Sequence, residues 1–528
     1  MPPDCRNLLE NNLRLSQSFV WELQCSFYES LGIDAWLSGV IPSQVTTNSF
    51  IARSYARLIA SYIEDLGLEQ VTILELGAGH GRFGFLCAQH LGEILESREP
   101  RKTEWQYILS DVAVRNVQYW MNHSAFQGLK ESQRIDFARF DVNKENSIRL
   151  MRSGKSLSVE SPCENLILIA NYFFDSLPID VWQVEDGELY ECRPTFWSKP
   201  NATCFDKSEF AILEQVDVSW ERYHVEKPVY ANPDWNQIVE YHRTEVKNGT
   251  FTLPIKTFEL LDKLDSWSRN GFLLLSADKG YLRPTDLQDR TFPTMVQHGC
   301  FSFSVNFGAI CKWIECRGGT PLIPNALNHF LEFAAFTSHP ESQISRLRFE
   351  FNEHAARFTP ADCHQLLRRC GRNADNQNLE FCLSAIRLSC YETGVFYQLR
   401  HALRDFVSQA SRSEYAAVRD TLKRVTANFF ALGNEDILFE IGRVYQRMDD
   451  FDDAIDAYHE SIIHFGEHPV TSYNLALCYG EKNEFDCAIH HARRAIELAP
   501  NDSDSTKLLK SLIEASQKER TETSTDPK

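Results

Sequence analysis

The sequence predicts an open α/β sheet with helices on both faces, followed by an all-α repeat domain. Three observations carry that expectation. Strand-like apolar runs and helical stretches alternate from residue 71 to about 320, which argues for a parallel-rich sheet. The run Val71-Thr-Ile-Leu-Glu-Leu-Gly-Ala-Gly-His-Gly81 passes from an apolar strand through a glycine turn into a helix, the ligand-gripping corner of such a sheet. Near the C-terminus, Gly442-Arg-Val-Tyr445 returns as Ala476-Leu-Cys-Tyr479, and Phe451-Asp-Asp-Ala-Ile455 as Phe485-Asp-Cys-Ala-Ile489. Both pairs are spaced by 34 residues, the mark of stacked helical hairpins.

Residues 1–70 read as a helical lead-in. From Leu8 to Leu31, the residues Leu13, Leu15, Phe19, Val20, Leu23, Phe27 and Leu31 recur at helical spacing. A turn over Gly39–Thr47, with Pro42 inside it, comes next. Thr46-Thr-Asn-Ser-Phe50 has the composition of a helix N-cap, placing a helix from Phe50 to Leu66. Such a lead-in either covers a cofactor pocket or only caps the sheet. Strands are expected at Val71–Leu76, Trp105–Ser110, Ile135–Phe140, Asn165–Ala170 and Gly271–Ser276, with Arg82–Leu95 as the first crossover helix. Val181–Glu185 and Leu189–Arg193 flank Asp186-Gly187 as an edge hairpin. A late strand near Thr320–Ile323 completes the sheet. Ser153–Cys163 reads as a polar loop, and Asn201–Thr250 as an irregular insertion. Leu347 to about Val425 is helical and shows no evident chemistry. The domain plan is a lead-in at 1–70 and an α/β domain at 71–325 with an insertion at about 195–250. A helical connector at 326–425, repeats at 426–520 and a disordered tail at 521–528 follow.

Composition narrows the function classes. The net charge of −19 argues against nucleic acid and against anionic membrane surfaces, both of which want basic patches. No apolar run is long enough to span a bilayer, and Met1-Pro-Pro-Asp-Cys-Arg-Asn7 lacks a secretory signal. The fifteen cysteines have no paired spacing, which points to free thiols in a reducing cytoplasm. No Cys/His cluster suggests a metal. The repeat periodicity implies a protein or peptide partner.

Ligands of an open parallel sheet bind at the carboxyl ends of its strands. Glu75, Gly77, Gly79 and Gly81 follow the first strand; Asp111 follows the second, Asp141 and Val142 the third, Asn171 the fourth. Glycine lets backbone approach a ligand, and the following helix start offers free N–H groups. An acid at Glu75 repels a phosphate and attracts a sulfonium, which favours S-adenosylmethionine as cofactor. Asp111 is placed for ribose hydroxyls, and Asp141 for the adenine amino group with Val142 against the ring. Taken singly, Asp111 and Asp141 read equally as helix N-caps. Gly79-His-Gly81-Arg-Phe-Gly84 also spells the dinucleotide fingerprint. That fingerprint wants an acid about 20 residues on, where Glu96-Ser-Arg-Glu-Pro-Arg-Lys-Thr-Glu104 reads as a charged loop.

Glu75-Leu-Gly-Ala-Gly-His-Gly81 resembles motif one of class I S-adenosylmethionine-dependent methyltransferases. Ile169-Ala-Asn-Tyr-Phe-Phe-Asp-Ser-Leu-Pro-Ile-Asp180 is similar to the fourth-strand motif of the MidA-like methyltransferases, which include a mitochondrial assembly factor that methylates an arginine. Gly271-Phe-Leu-Leu-Leu-Ser-Ala-Asp-Lys-Gly-Tyr281, His298-Gly299 and Thr47–Tyr55 resemble further family segments, so the likeness spans about residues 40–325. The repeats resemble the tetratricopeptide family. The resemblance implies a Rossmann-like methyltransferase sheet, with S-adenosylmethionine held by the strand-end residues above. Asn171, Asp175 and His298 stand as catalytic candidates, with Asp278 a further possible base. Asp175 reads better as a turn cap, His298 as a core or turn histidine, and Asp278 as a loop hydrogen-bonder. Two departures bear on the acceptor. Tyr172 stands where the family has a glutamate able to hold a guanidinium, and Ala277-Asp-Lys-Gly280 replaces Asp-Tyr-Gly. Asn171-Tyr-Phe-Phe174 also echoes the Asn-Pro-Pro-Tyr box of amine methyltransferases. Two readings follow: a methyltransferase whose repeats recruit a protein substrate, or an inactive scaffold in which only the repeats bind.

Overall fold

The computed structural model describes residues 7–38, 45–97, 103–199, 209–227, 230–293, 295–298, 300–325, 331–357, 359–369 and 378–523. The chain forms two compact units, Met1–Cys363 and His364–Lys528. The first is α/β, and the second is helical.

The α/β unit begins with β1 (Leu8–Glu10), α1 (Val20–Leu31), the short α2 (Asp34–Leu37) and α3 (Ser49–Leu66). It continues with β2 (Gln70–Leu76), α4 (Arg82–Glu96), β3 (Glu104–Asp111), α5 (Val114–Asn122), β4 (Ile135–Arg139) and β5 (Leu166–Asn171). Next come β6 (Asp180–Glu185), β7 (Glu188–Ser198), β8 (Val216–His224), α6 (Pro233–Glu245), β9 (Gly249–Leu253) and α7 (Ile255–Asp265). The main sheet and its helices are completed by β10 (Phe272–Asp278), α8 (Phe307–Cys316), β11 (Thr320–Leu322) and β12 (Glu332–Thr337).

The main sheet runs β11-β12-β10-β5-β2-β3-β4. The five strands β10, β5, β2, β3 and β4 are mutually parallel, and β12 is antiparallel to both of its neighbours. This is the Rossmann-like open sheet the sequence predicts. Alternate residues of each strand serve opposite faces. Leu74, Leu76, Leu168, Ala170 and Leu274 pack with α7 (Phe258, Leu261) and α8 (Ile310, Trp313) in one core. Buried Ile73, Tyr107 and Leu109 face the other way, where α3 and α4 lie. Asn48 caps α3, its side chain accepting from the Ile51 N–H.

Several expectations are corrected. Leu8–Leu31 is not one helix. Asn12 is left-handed (φ 62°), and the Glu10 carboxylate takes the Ser18 hydroxyl and the Phe19 N–H, so the helix starts only at Val20. The hairpin β6–β7 does not edge the main sheet. It joins a second, antiparallel sheet of order β1-β7-β6-β9, with β8 also on β7. The segment read as an irregular insertion thus supplies ordered β8, α6 and β9. Within the stretch read as a loop, Ser156–Ser158 pairs with Ser147–Arg149. The late strand β11 reaches β10 only through β12, which the sequence reading missed. Of the expected turn at Gly39–Thr47, residues 39–44 lie outside the described residues. Among those described, no helix is long and apolar enough to cross a membrane.

In the helical unit, Ile437–Arg447 pairs with Phe451–Phe465, and Pro469–Glu481 with Phe485–Leu498; Ser503–Thr523 follows. Small residues set these packings. A Cβ on Gly442 would stand 2.7 Å from the buried Tyr458 ring, whose hydroxyl donates to Gln446 Oε1 at 2.8 Å. Gly442→Leu should therefore destabilise the unit by ~2 kcal/mol or more despite leucine's better helix propensity. Urea unfolding followed by far-UV circular dichroism checks this, and wild-type stability would contradict the packing argument.

Candidate functional site

Strand order reverses between β2 and β5: the chain runs from β2 to β3 and β4 on one side, while β5 and β10 lie on the other. A cavity, open at its mouth, sits over the carboxyl ends of these strands. The strand ends bring Glu75, Gly77, Gly79, Asp111, Asp141, Val142 and Asn171 to its wall. Gly81 and Asp175 are not among the described lining residues. The opposite wall comes from α1 and α2, through Trp21, Gln24, Tyr28 and Trp36. The lead-in thus covers the pocket, but nothing in its sequence separates these residues from ordinary core aromatics.

The glycine loop is built differently from the expectation. Gly79 (φ 56°) and Gly81 (φ 82°) are left-handed. Their missing side chains make room for protein rings: a Cβ on Gly79 would lie 2.8 Å from Trp36, and one on Gly81 2.7 Å from Trp120. Gly77 meets Phe173 in the same way, at 2.7 Å. Phe173 gets there because Tyr172 turns the chain at the end of β5 with a left-handed backbone (φ 47°), a strained state for a large side chain. The Tyr172 N–H donates to the Ala277 carbonyl at 2.9 Å, which holds that turn against β10.

Each acid has a distinct environment. The Glu75 side chain points below the sheet end, away from the core that holds Leu74 and Leu76. It accepts from the Tyr107 hydroxyl at 2.9 Å, and Gly84 of α4 rests on it, since a Cβ there would be 2.5 Å from Oε2. Burial pushes its carboxyl up to about 8, so at neutral pH it is mostly protonated. The expected fixed negative charge at Glu75 is corrected on that ground. Because the folded-state pKa is raised, Glu75 contributes stability that is complete below about pH 4.5 and is lost as pH climbs through about 8. Glu75→Gln should thus gain stability relative to wild type between pH 6 and pH 9, by up to a few kcal/mol. Thermal melts at the two pH values check the sign, and a widening deficit at pH 9 would refute it.

Asp111 ties the loop to β3. Its Oδ2 accepts the Gly79 N–H at 3.0 Å, and its Oδ1 the Ala113 N–H at 2.9 Å. Burial raises its carboxyl pKa, and these donors oppose the rise. Asp141 accepts the Asn143 N–H at 3.0 Å through Oδ1. Its Oδ2 has no hydrogen-bond partner, and Lys144 Nζ stands 3.4 Å away. Two further lining atoms are buried without partners: Gln24 Oε1 and Asn171 Nδ2. His80 is neutral, burial having pushed it down to about 3, and its Nδ1 accepts the Arg82 N–H.

Behind the wall, Asp175 and Asp278 form a carboxyl pair. The Asp175 N–H donates to Asp278 Oδ2 at 3.2 Å, and the Lys279 N–H to Oδ1 at 2.8 Å. Asp278 is fully buried, and Asp175 keeps partial contact with solvent. Depth and the neighbouring acid drive Asp278 well up, while desolvation lifts Asp175 to about 7 against the pull of Lys279 and Ser302. His298 ends a short strand paired with Cys300, and its side chain lies outside the described residues.

No lysine or arginine lines the cavity among the described residues. Its wall combines Asp111 and Asp141 with the rings of Trp21, Tyr28, Trp36, Phe83, Phe140, Tyr172 and Phe173. Carboxylates and aromatic faces both attract a desolvated cation.

Residues 471–502 match the family model of the tetratricopeptide repeat. The chain is similar to a solved Burkholderia thailandensis structure described as a "COG1565 superfamily member and likely methyl transferase", bound to S-adenosyl-homocysteine. The identity is 12% over 58% of this chain and 79% of that chain, with a TM-score of 0.35. A second, uncharacterized member of that superfamily from the same organism is 10% identical over 77% of this chain and 88% of its own, with a TM-score of 0.32. A chain of the APC/C hetero-tetramer Cut9-Hcn1 is 16% identical over 33% of this chain and 34% of its own, with a TM-score of 0.24. No curated protein matches the sequence.

Proposed function

We propose that the chain is an S-adenosylmethionine-dependent methyltransferase, its catalytic part being the α/β unit that ends at Cys363 rather than 71–325 alone, with its tetratricopeptide repeats at 426–520 serving a protein partner. The observation that carries this reading is a switch-point cavity walled by acids and rings, with no lysine or arginine in its lining among the described residues. Such a wall suits a positively charged sulfur and disfavours a pyrophosphate. Asp141 Oδ2, paired only with the Lys144 ammonium at 3.4 Å, fits the adenine amino group, with Val142 beside it, and Asp111 keeps lone pairs for the ribose. Gly77, Gly79 and Gly81 shape the loop beneath. When bound, S-adenosylmethionine supplies a methyl carbon on a sulfur that departs as a neutral thioether. This chain's own part is to position the acceptor and to take its proton. Asp175, which follows the lining residue Phe173 and precedes the lining Ser176, is the base candidate, and burial raises its affinity for a proton. Asn171 fixes the acceptor, and His298 stays a secondary candidate.

Calorimetry with S-adenosylmethionine tests the reading. Micromolar binding is expected. Absence of heat at saturating ligand would favour the alternative, an inactive scaffold, for which the closure of Trp36 and Phe173 over the glycine loop is the supporting observation. Radiolabelled methyl donor in a lysate supplemented with the purified protein tests the recruitment of a protein substrate. Label confined to small molecules would reject it.

A further inference from the structure

Two of the three side-chain amides in the cavity wall, Asn171 and Gln24, have their orientations set by backbone groups; Asn143 is the third. Asn171 Oδ1 accepts the Ala277 N–H at 3.2 Å and the Tyr55 hydroxyl at 2.6 Å. A backbone N–H only donates, so the oxygen must face it, and Nδ2 is the amide's free edge. Gln24 is set in the opposite sense. Its Nε2 donates to the Phe301 carbonyl at 2.7 Å, a group that only accepts, so Oε1 is the free edge. Both free atoms are buried and unpartnered, and Gln24 is 2% exposed. An unmet buried donor and an unmet buried acceptor cost free energy that a ligand can recover.

We infer that the methyl acceptor is a neutral group that both accepts and donates a hydrogen bond, a carboxamide or a hydroxyl, bound between Asn171 Nδ2 and Gln24 Oε1. This inference rests on the methyltransferase reading and names that site's substrate class. A guanidinium or an ammonium carries donors only, so it would set a donor against Asn171 Nδ2. A carboxylate carries acceptors only, and among the described residues no lysine or arginine lines the cavity to balance its charge. The family's glutamate, suited to a guanidinium, is absent at Tyr172. The same locked amide sets this site apart from the amine box it echoes, because here the asparagine oxygen is already occupied. A neutral acceptor holds its proton tightly, so the transfer calls for a base.

The test uses the full chain saturated with S-adenosylhomocysteine, which lacks the sulfonium charge, so that ranking reports hydrogen bonding alone. Saturation-transfer NMR titrations with acetamide, phenol, methylguanidinium and methylammonium give the order. Acetamide or phenol should bind at least about tenfold tighter than either cation. Asn171→Asp, which turns the free donor into an acceptor, should shift that ratio about tenfold or more toward methylguanidinium. Gln24→Met should weaken acetamide. A cation equal to or tighter than acetamide in the wild type, an unchanged ratio in Asn171→Asp, or bound S-adenosylhomocysteine with no probe binding would each overturn the inference. If S-adenosylhomocysteine itself fails to bind, it is the methyltransferase reading that falls.

Discussion

Replacing Gly79 by arginine should abolish measurable binding of S-adenosylmethionine. Two physical effects act together. Gly79 is left-handed, where any L side chain is strained, and its Cβ direction is filled by Trp36 at 2.8 Å. Arginine also places a fixed cation in a wall that holds none among the described residues, next to the position proposed for a positive sulfur. A loss of ~100-fold or more in affinity is expected, equivalent to ~2.7 kcal/mol. Calorimetry reads the affinity, and far-UV circular dichroism confirms that the fold survives. Wild-type affinity in a folded Gly79→Arg variant would remove the loop from the binding site.

Asp175→Asn should lower the methyl-transfer rate by ~10²-fold or more, the range typical of a lost general base. The wild-type rate should climb with pH below about 7, where the carboxyl is still protonated, and level off above it. The stability contribution runs the other way. A carboxyl raised from 3.8 to about 7 stabilises the fold fully below about pH 4, and that contribution is lost as pH rises through 7. Activity and stability should therefore diverge across the same window, and the variant should flatten both trends. Since Asp175 and Asp278 titrate as a pair, the midpoint belongs to both. A pH profile in Asp175→Asn that still climbs through the same window would assign the base elsewhere.

Local pattern carried a large part of the α/β unit. Apolar runs of strand length between helical stretches located β2, β3, β4, β5 and β10 within a residue or two, because a strand buried on both faces must be apolar throughout. The 34-residue spacing located the repeat helices for a similar reason: the two helices of a repeat pack through small and aromatic positions, as Gly442 does on Tyr458. What failed was pairing. Nothing local tells β6 and β7 to form a second sheet with β9, or β12 to slip between β10 and β11, because non-adjacent strands choose partners through distant contacts. The lead-in misled for a different reason: periodicity in Leu8–Leu31 was real, but the Glu10 carboxylate and a left-handed Asn12 broke it.

By itself, the sequence determined that a glycine turn would sit at the carboxyl ends of parallel strands with Asp111, Asp141 and Asn171 on the neighbouring strand ends, since chain order and strand direction suffice for that. Only the tertiary structure decided what those groups can do. It buried Glu75 against Tyr107 and neutralised it, filled the spaces at the glycines with Trp36, Phe173 and Trp120, and brought Gln24 from α1 to the wall facing the strand ends. The reason is physical: protonation state, free hydrogen-bonding edges and cavity shape depend on neighbours distant along the chain, and no local pattern encodes them.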